Sequence, residues 1–165
     1  MLKVDPAGQT AAVIGCGGAG RAIALSLATA GATWIGLIDI DHDRAHQLAE
    51  EISQTTPATA EVITHAELKH VDLIAQCSPS GLHNFPNPAA TTNDFQPGQK
   101  LYDIVIPPGS PETPTMREAR NVGMDCANGV RMLVEQGALA FHFWTGLEAD
   151  RDAMIHAVEE GLSHA

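Results

Sequence analysis

The chain reads as one α/β domain: a doubly wound, mostly parallel six-stranded sheet with helices on both faces and further helices at its C-terminus. Two observations lead there. Short apolar runs alternate with stretches whose small and aliphatic residues recur at helical spacing, and strands separated by helical crossovers pair in parallel. The 165 residues suit a single domain, which at that size buries roughly two thirds of its unfolded surface. Hydrophobic residues at 44% and charged ones at 18%, with 15 Gly and 10 Pro, describe a folded chain with many turns rather than a disordered one.

In chain order, "TAAVI" (10–14) is a buried strand running into glycines, and the small and aliphatic residues of 19–30 form a helix that Gly31 ends. "TWIGLID" (33–39) is a second buried strand ending on acidic residues. "DHDRAHQLAEEISQ" (41–54) is a polar helix whose inner face is Ala45, Leu48, Ala49 and Ile52, with Asp43 as its expected N-cap. "AEVIT" (60–64) and "VDLIAQCS" (71–78) are the third and fourth strands, "KLYDIVI" (100–106) and "GMDCAN" (123–128) the fifth and sixth. Between the fourth and fifth, the Pro-, Asn- and Gly-rich residues 79–99 are expected to form a long loop, and such loops after strands are often functional. "VRMLVEQGALAFHFWTG" (130–146) is an apolar helix whose Met132, Leu133, Leu139, Phe141, Phe143 and Trp144 are expected mostly in the core, followed by an amphipathic helix over 148–165. The sequence holds no repeat, low-complexity tract or interdomain linker.

Charge and cysteines narrow the function. A net charge of −11, from nine Lys and Arg against twenty Asp and Glu, repels both a nucleic-acid backbone and an anionic bilayer, so neither is an expected partner. No apolar run approaches the roughly 20 residues of a membrane span, and "MLKVDPAGQT" has no signal-peptide core. Cys16, Cys77 and Cys126 cannot all pair and lack zinc-knuckle spacing, so they read as reduced thiols of a cytoplasmic protein.

The sharpest motif is Gly15-x-Gly17-x-x-Gly20 in "GCGGAG". The first glycine permits the tight turn out of a strand, the second lets a pyrophosphate approach the backbone, and the third lets helix and strand pack closely. The helix N-terminus then offers free N–H groups and a positive dipole end to the anion. The motif follows a strand and opens a helix, and Asp39 ends the next strand, so it is the fingerprint of a Rossmann-like dinucleotide site. A carboxylate there accepts ribose hydroxyls and repels a 2′-phosphate, so NAD is expected over NADP. Asp41 and Asp43 strengthen the repulsion, and the one nearby cation is Arg44, a turn into the helix.

The stretch "LYDIVIPPGSPETPTMREARNVGMDCANGVRMLVEQGALAFHFWTG" resembles the end of the shikimate and quinate dehydrogenases, with their Asp-aliphatic-x-Tyr, Thr-Pro, Gly-x-x-Met-Leu-x-x-Gln and Trp-Thr-Gly runs. "GCGGAG" and "CSPSG" are similar to that family's Gly-Ala-Gly-Gly-Ala-Gly and Ala-Thr-Pro-x-Gly patterns, so the resemblance spans residues 11–146. It implies the C-terminal NAD(P)-binding domain of such an enzyme. It implies a phosphate loop on Gly15, Gly17, Gly18, Ala19 and Gly20, and puts the family's adenosine-discriminating Asn-Arg-Thr on Asp39, Ile40 and Asp41. Ile40 stands where NADP-using members place an arginine. Ser78 and Pro79 would lie along the cofactor, Ile104 and Gly129 would flank the nicotinamide, and Gln136 would hydrogen-bond a substrate hydroxyl. The family's substrate-contacting tyrosine falls on Ile106, which cannot donate to a carboxylate.

In that family the catalytic lysine and aspartate lie in a separate N-terminal domain, and this chain begins shortly before the glycine loop. The expectation is that it carries no catalytic residue of its own. Hydride transfer to a ketone requires a proton donor within hydrogen-bond reach. Lys69, before the fourth strand, and Lys100, at the start of the fifth, are at the wrong strand ends for it. His83, in the long loop, is the one local candidate. His42 and His46 have the spacing of a metal pair but no third ligand, so no metal is expected. Cys16 is expected to be a small apolar filler rather than a thiolate.

The leading expectation is the NAD-binding domain of a shikimate/quinate-type dehydrogenase, serving hydride transfer between a cyclic hydroxy acid and NAD. Its acid/base groups would come from a catalytic domain or partner chain. Without such a domain Phe141, Trp144 or the face of Met154, Ile155 and Val158 would be exposed, which also allows a homodimer through the C-terminal helices. The competing expectations are a stand-alone NAD-binding regulatory module without catalysis, and an oxidoreductase of another small substrate that uses His83.

Overall fold

Six strands form one sheet in the order β3-β2-β1-β4-β5-β6: β1 (Thr10–Ile14), β2 (Trp34–Ile38), β3 (Thr59–Val62), β4 (Leu73–Gln76), β5 (Lys100–Asp103) and β6 (Asp125–Asn128). The computed structural model describes residues 4–107 and 109–164. Every neighbouring pair is parallel, so the sheet is wholly rather than mostly parallel. The chain winds outward from β1 to β3, crosses back to β4 and winds the other way. The carboxyl ends of β1 and β4 therefore diverge into a crevice, the place where ligands bind in open sheets of this kind.

Helices α1 (Gly18–Thr29) and α2 (His42–Thr55) cover one face. Their Ala24, Ala28, Leu48 and Ile52 pack on Val13, Ile35 and Leu37 of the central strands. On the other face Leu68, Ile74, Leu101 and Met116 form a second core layer beneath α3 (Pro114–Asn121). Helices α4 (Val130–Thr145) and α5 (Arg151–His164) close the chain. No helix among the described residues is long and apolar enough to cross a membrane.

Several expectations change. The N-cap of α2 is Asp41 rather than Asp43: its Oδ1 accepts from the Arg44 N–H at 3.1 Å, and Asp43 sits in the first turn. The second, fourth and fifth strands end earlier than the apolar runs suggest, because side chains at their carboxyl ends pull the backbone out of the ladder. Asp39 accepts from the N–H of Asp41 at 2.9 Å, Gln76 from that of Ser78 at 2.8 Å, and Asp103 from that of Val105 at 3.0 Å. Asn128 does the same to Val130 at the end of β6, at 3.2 Å. Helix α3 lies between the fifth and sixth strands, in a stretch to which the sequence reading assigns no element. Residues 79–99 do form a loop, with one 3₁₀ turn at Thr92–Asp94, and it is tied to α3 through Ala89 N–H to Thr115 Oγ1 and Thr92 N–H to Glu118 Oε2, both 2.9 Å.

The largest correction concerns α4. Its buried stripe is Val130, Val134 and Ala138, one residue per turn, which turns Leu133, Leu139, Phe141, Phe143 and Trp144 outward; Phe143 is 84% and Trp144 79% exposed. These residues are not core among the described residues. Gly146, in the left-handed region at φ 71°, ends the helix.

Candidate functional site

The glycine loop divides its residues between packing and an open surface. Gly15 has φ +94°, and a Cβ on it would lie 2.6 Å from the Ser78 nitrogen. A Cβ on Gly20 would lie 1.7 Å from the Gly15 carbonyl oxygen. Both positions demand glycine for the fold itself. Gly17 and Gly18 are exposed, as is Ala19, and a Cβ on either glycine would meet nothing within 4 Å.

The helix that begins there is left without a cap. Asp41 caps α2, Thr113 caps α3, and Thr64 and Thr91 form capping boxes on the 3₁₀ helices His65–His70 and Thr92–Asp94, whereas α4, like α1, starts at a glycine with no side-chain cap. Helix α1 has Gly17 as N-cap, no side-chain hydrogen bond to it and no acidic residue in its first turn. The N–H groups of its first turn have no intrahelical acceptor. Donors, open space and a positive helix end together fit a diphosphate.

Asp39 stands beside this loop with only 6% of its side chain exposed. Its Oδ2 accepts from the Cys16 N–H at 2.6 Å, so the carboxylate braces the loop it was expected only to flank. Arg44 reaches back with Nη1 3.6 Å from Asp39 Oδ2 and Nη2 2.9 Å from Asp41 Oδ2. One guanidinium thus faces two carboxylates, and the cluster keeps a net negative charge. Ile40 lies between them, 99% exposed, an apolar surface at the lip of the crevice. Burial, and then the Asp39 charge, pushes the Cys16 thiol up to about 12, so it packs as a neutral filler.

Across the crevice, the segment after β4 is shaped by a residue the sequence reasoning passed over. Gln76 is fully buried and holds Ser78 and Ser80 through its amide. The Ser78 hydroxyl donates to Gln76 Oε1 at 2.7 Å and so is turned inward, while Pro79 is exposed. The signal was a polar residue closing the apolar run "LIA" within "VDLIAQCS".

Asp103 and Thr113 were passed over as well, although both fall in quoted motifs. Asp103 is fully buried at the end of β5 and accepts from the Thr113 hydroxyl at 2.5 Å. That hydroxyl also accepts from the Met116 N–H at 3.1 Å, joining strand end to helix start. Burial raises the Asp103 carboxyl to about 6, against the lowering effect of its bonds to Thr113 and Val105.

Ile104 and Gly129 meet directly: a Cβ on Gly129 would lie 2.2 Å from the Ile104 carbonyl oxygen, so glycine is needed for β5 and α4 to approach. Ile106 is half-buried beyond them, and Gln136 is exposed on α4. His83 is exposed in the 79–99 loop with no hydrogen-bond partner among the described residues, so nothing orients its ring. No group of three or more His, Cys, Asp and Glu suited to a metal occurs among the described residues.

Comparison with known proteins agrees with this geometry. The family model for the shikimate 5′-dehydrogenase C-terminal domain matches residues 129–159. The NADP(+) shikimate dehydrogenase of Methanopyrus kandleri is 38% identical over 168 residues, covering 96% of this chain and 57% of the relative. Shikimate 5-dehydrogenase from Thermus thermophilus, solved with NADP(H) and shikimate, is 33% identical with a TM-score of 0.75 over 92% of this chain and 54% of that one. Quinate dehydrogenase from Corynebacterium glutamicum, solved with NAD, is 26% identical with a TM-score of 0.81 over 93% of this chain and 55% of that one. The chain spans a little over half the length of these relatives. By its glycine loop, its sheet order and these likenesses, the chain belongs to the shikimate dehydrogenase family and corresponds to its C-terminal domain.

Proposed function

We propose that the chain binds a nicotinamide dinucleotide, NAD in preference to NADP, as the cofactor domain of a shikimate/quinate-type dehydrogenase. The observation that carries this is the uncapped start of α1 over the open face of Gly17 and Gly18, with the Asp39 carboxylate beside it. When bound, the dinucleotide supplies or accepts the hydride. The chain's own residues bind and orient. The N–H groups of Gly17, Gly18 and Ala19 hold the anion, Asp39 accepts from the ribose hydroxyls, and Ile40 offers an apolar face to the adenine. Ser78 and Pro79 line the opposite wall, and Ile104 and Gly129 close the nicotinamide end. Gln136 donates to a hydroxyl of a cyclic hydroxy acid, and Ile106 in the tyrosine position shifts recognition away from the acid group.

The M. kandleri relative is named for NADP(+), and the C. glutamicum quinate dehydrogenase was solved with NAD. Two features of this chain support NAD. Ile40 supplies no charge for a 2′-phosphate, and Arg44, the nearby cation, is held by Asp39 and Asp41. The proton donor comes from a catalytic domain or partner chain. The exposed apolar end of α4 supports docking of that kind, or a homodimer through the same helices. Three free thiols support a reducing, cytoplasmic setting.

Calorimetric titration with each dinucleotide tests the proposal. NAD is expected to bind at least about tenfold more tightly than NADP, the equivalent of one charge-assisted hydrogen bond or more, and Asp39→Ala to abolish the difference. Binding of neither cofactor would sink the proposal. Turnover of shikimate or quinate by this chain alone would contradict the borrowed proton donor.

A further inference from the structure

We propose that Gln76 is a positioning residue for the dinucleotide site, its amide fixing the backbone of 78–80 as the wall that faces the glycine loop. This rests on the binding mode proposed above. Gln76 lies at the carboxyl end of β4, paired with Ile14 on β1 and Asp103 on β5, at the point where the sheet reverses direction.

Its side chain makes four hydrogen bonds to the loop that follows. Oε1 accepts from the Ser78 N–H at 2.8 Å and the Ser78 hydroxyl at 2.7 Å. Nε2 donates to the carbonyl oxygens of Ser78 at 3.0 Å and Ser80 at 3.2 Å. These exhaust the amide's two donors and two acceptor sites. They also fix its orientation, because a flipped amide would set its NH₂ against the Ser78 N–H and its oxygen against two carbonyls. The Ser80 N–H completes the unit by donating to Ser78 Oγ at 3.3 Å.

The shaped segment rests on the glycine loop. The Cys77 N–H donates to the Ile14 carbonyl at 2.7 Å, and the Ser78 nitrogen lies 2.6 Å from where a Gly15 Cβ would be. A displacement of residue 78 therefore meets Gly15 itself. The site needs an uncharged group with equal numbers of donors and acceptors. A carboxylate of the same shape would set a negative oxygen against two carbonyl oxygens.

Gln76→Glu turns that requirement into a measurement. Protonated glutamic acid restores a donor toward the carbonyls, whereas the ionised form does not, and burial favours the protonated form. Asp103 is its charged neighbour in the ladder, and the thiols of Cys77 and Cys16 lie nearby, both pushed up to about 12. All three are common to both proteins, so the wild type is the reference. NAD affinity, measured by titration with circular dichroism to verify folding, is expected to match wild type within about threefold near pH 5.5. It is expected to fall at least about tenfold below wild type near pH 8, the worth of one or two hydrogen bonds. Equal affinity at both pH values would overturn the proposal.

Should Gln76→Glu unfold at the higher pH, Gln76→Met, apolar and of similar length, decides. Its Ser78 amide is expected to exchange with solvent at least about tenfold faster and its NAD affinity to drop about tenfold. Unchanged exchange and affinity would overturn the proposal. A wild type that fails to bind NAD at all defeats the binding mode itself; fast Ser78 exchange in Gln76→Met then separates that failure from any failure of the positioning role.

Discussion

Gly18 and Gly20 stand two positions apart and carry opposite demands. Adding a methyl at Gly20 drives it into the Gly15 carbonyl, so Gly20→Ala is expected to cost more than about 3 kcal/mol or prevent folding, as read by urea denaturation. Gly18→Ala meets open space and is expected to leave stability within about 0.5 kcal/mol, while weakening NAD binding because the methyl enters the space where the proposed binding mode puts the anion. Asp103 gives a pH signature. Its carboxyl, raised to about 6 from an ordinary value of 3.8, binds a proton in the folded protein before the unfolded one. Stability therefore falls as pH rises from about 4 through about 6, by on the order of 2 kcal/mol for a shift of this size. Urea denaturation across that range should show the loss in wild type, and a shallower slope in Asp103→Asn. A steeper slope in the variant would refute the assignment.

At the scale of elements, the strand ends share a device. Asp39, Gln76, Asp103 and Asn128 each accept from the N–H two residues on, and each so turns the chain from a strand into the loops around the crevice. "LID", "IAQ", "LYD" and "CAN" show this in the sequence, as a polar side chain closing an apolar run, yet apolar periodicity alone extends the strands past them. Helix α3 was legible too, since Thr113-Pro114 is an N-cap followed by a proline at N1, but it directly follows the turn-rich "PPGSPET". Thr113→Ala removes both the cap and the Asp103 partner, and is expected to destabilise by about 2–3 kcal/mol in thermal or urea melts. Helix α4 was misjudged for a different reason. Its aromatic residues promise burial by their size, but the small stripe of Val130, Val134 and Ala138 decides which side meets the sheet, and only tertiary contact chooses between two apolar faces.

For the whole molecule, the doubly wound six-stranded sheet and the glycine loop with its acidic strand end follow from local pattern. The bracing of Cys16 by Asp39 does not, because it joins segments far apart in sequence, and the bonds of Gln76 to residues 78 and 80, though local, make a wall only once the sheet brings β4 beside β1. The same limit applies to surfaces. Phe143 and Trp144 project from a chain of net charge −11, where an apolar patch invites association that the charge elsewhere opposes. Sedimentation velocity at tens of micromolar is expected to show self-association that Phe143→Asp abolishes, with the melting temperature unchanged; a wild type that sediments as a monomer would exclude the homodimer. The missing cap on α1 reaches further than the site. On the binding mode proposed above, an anion held at this helix start ties the lifetime of the protein to the supply of that anion. At about a hundred times its dissociation constant a ligand adds roughly 2.7 kcal/mol to stability. Proteolysis in a cell extract should then slow as NAD is added. The proposed binding mode thus predicts a protein whose abundance follows that of NAD through the N-terminus of one helix.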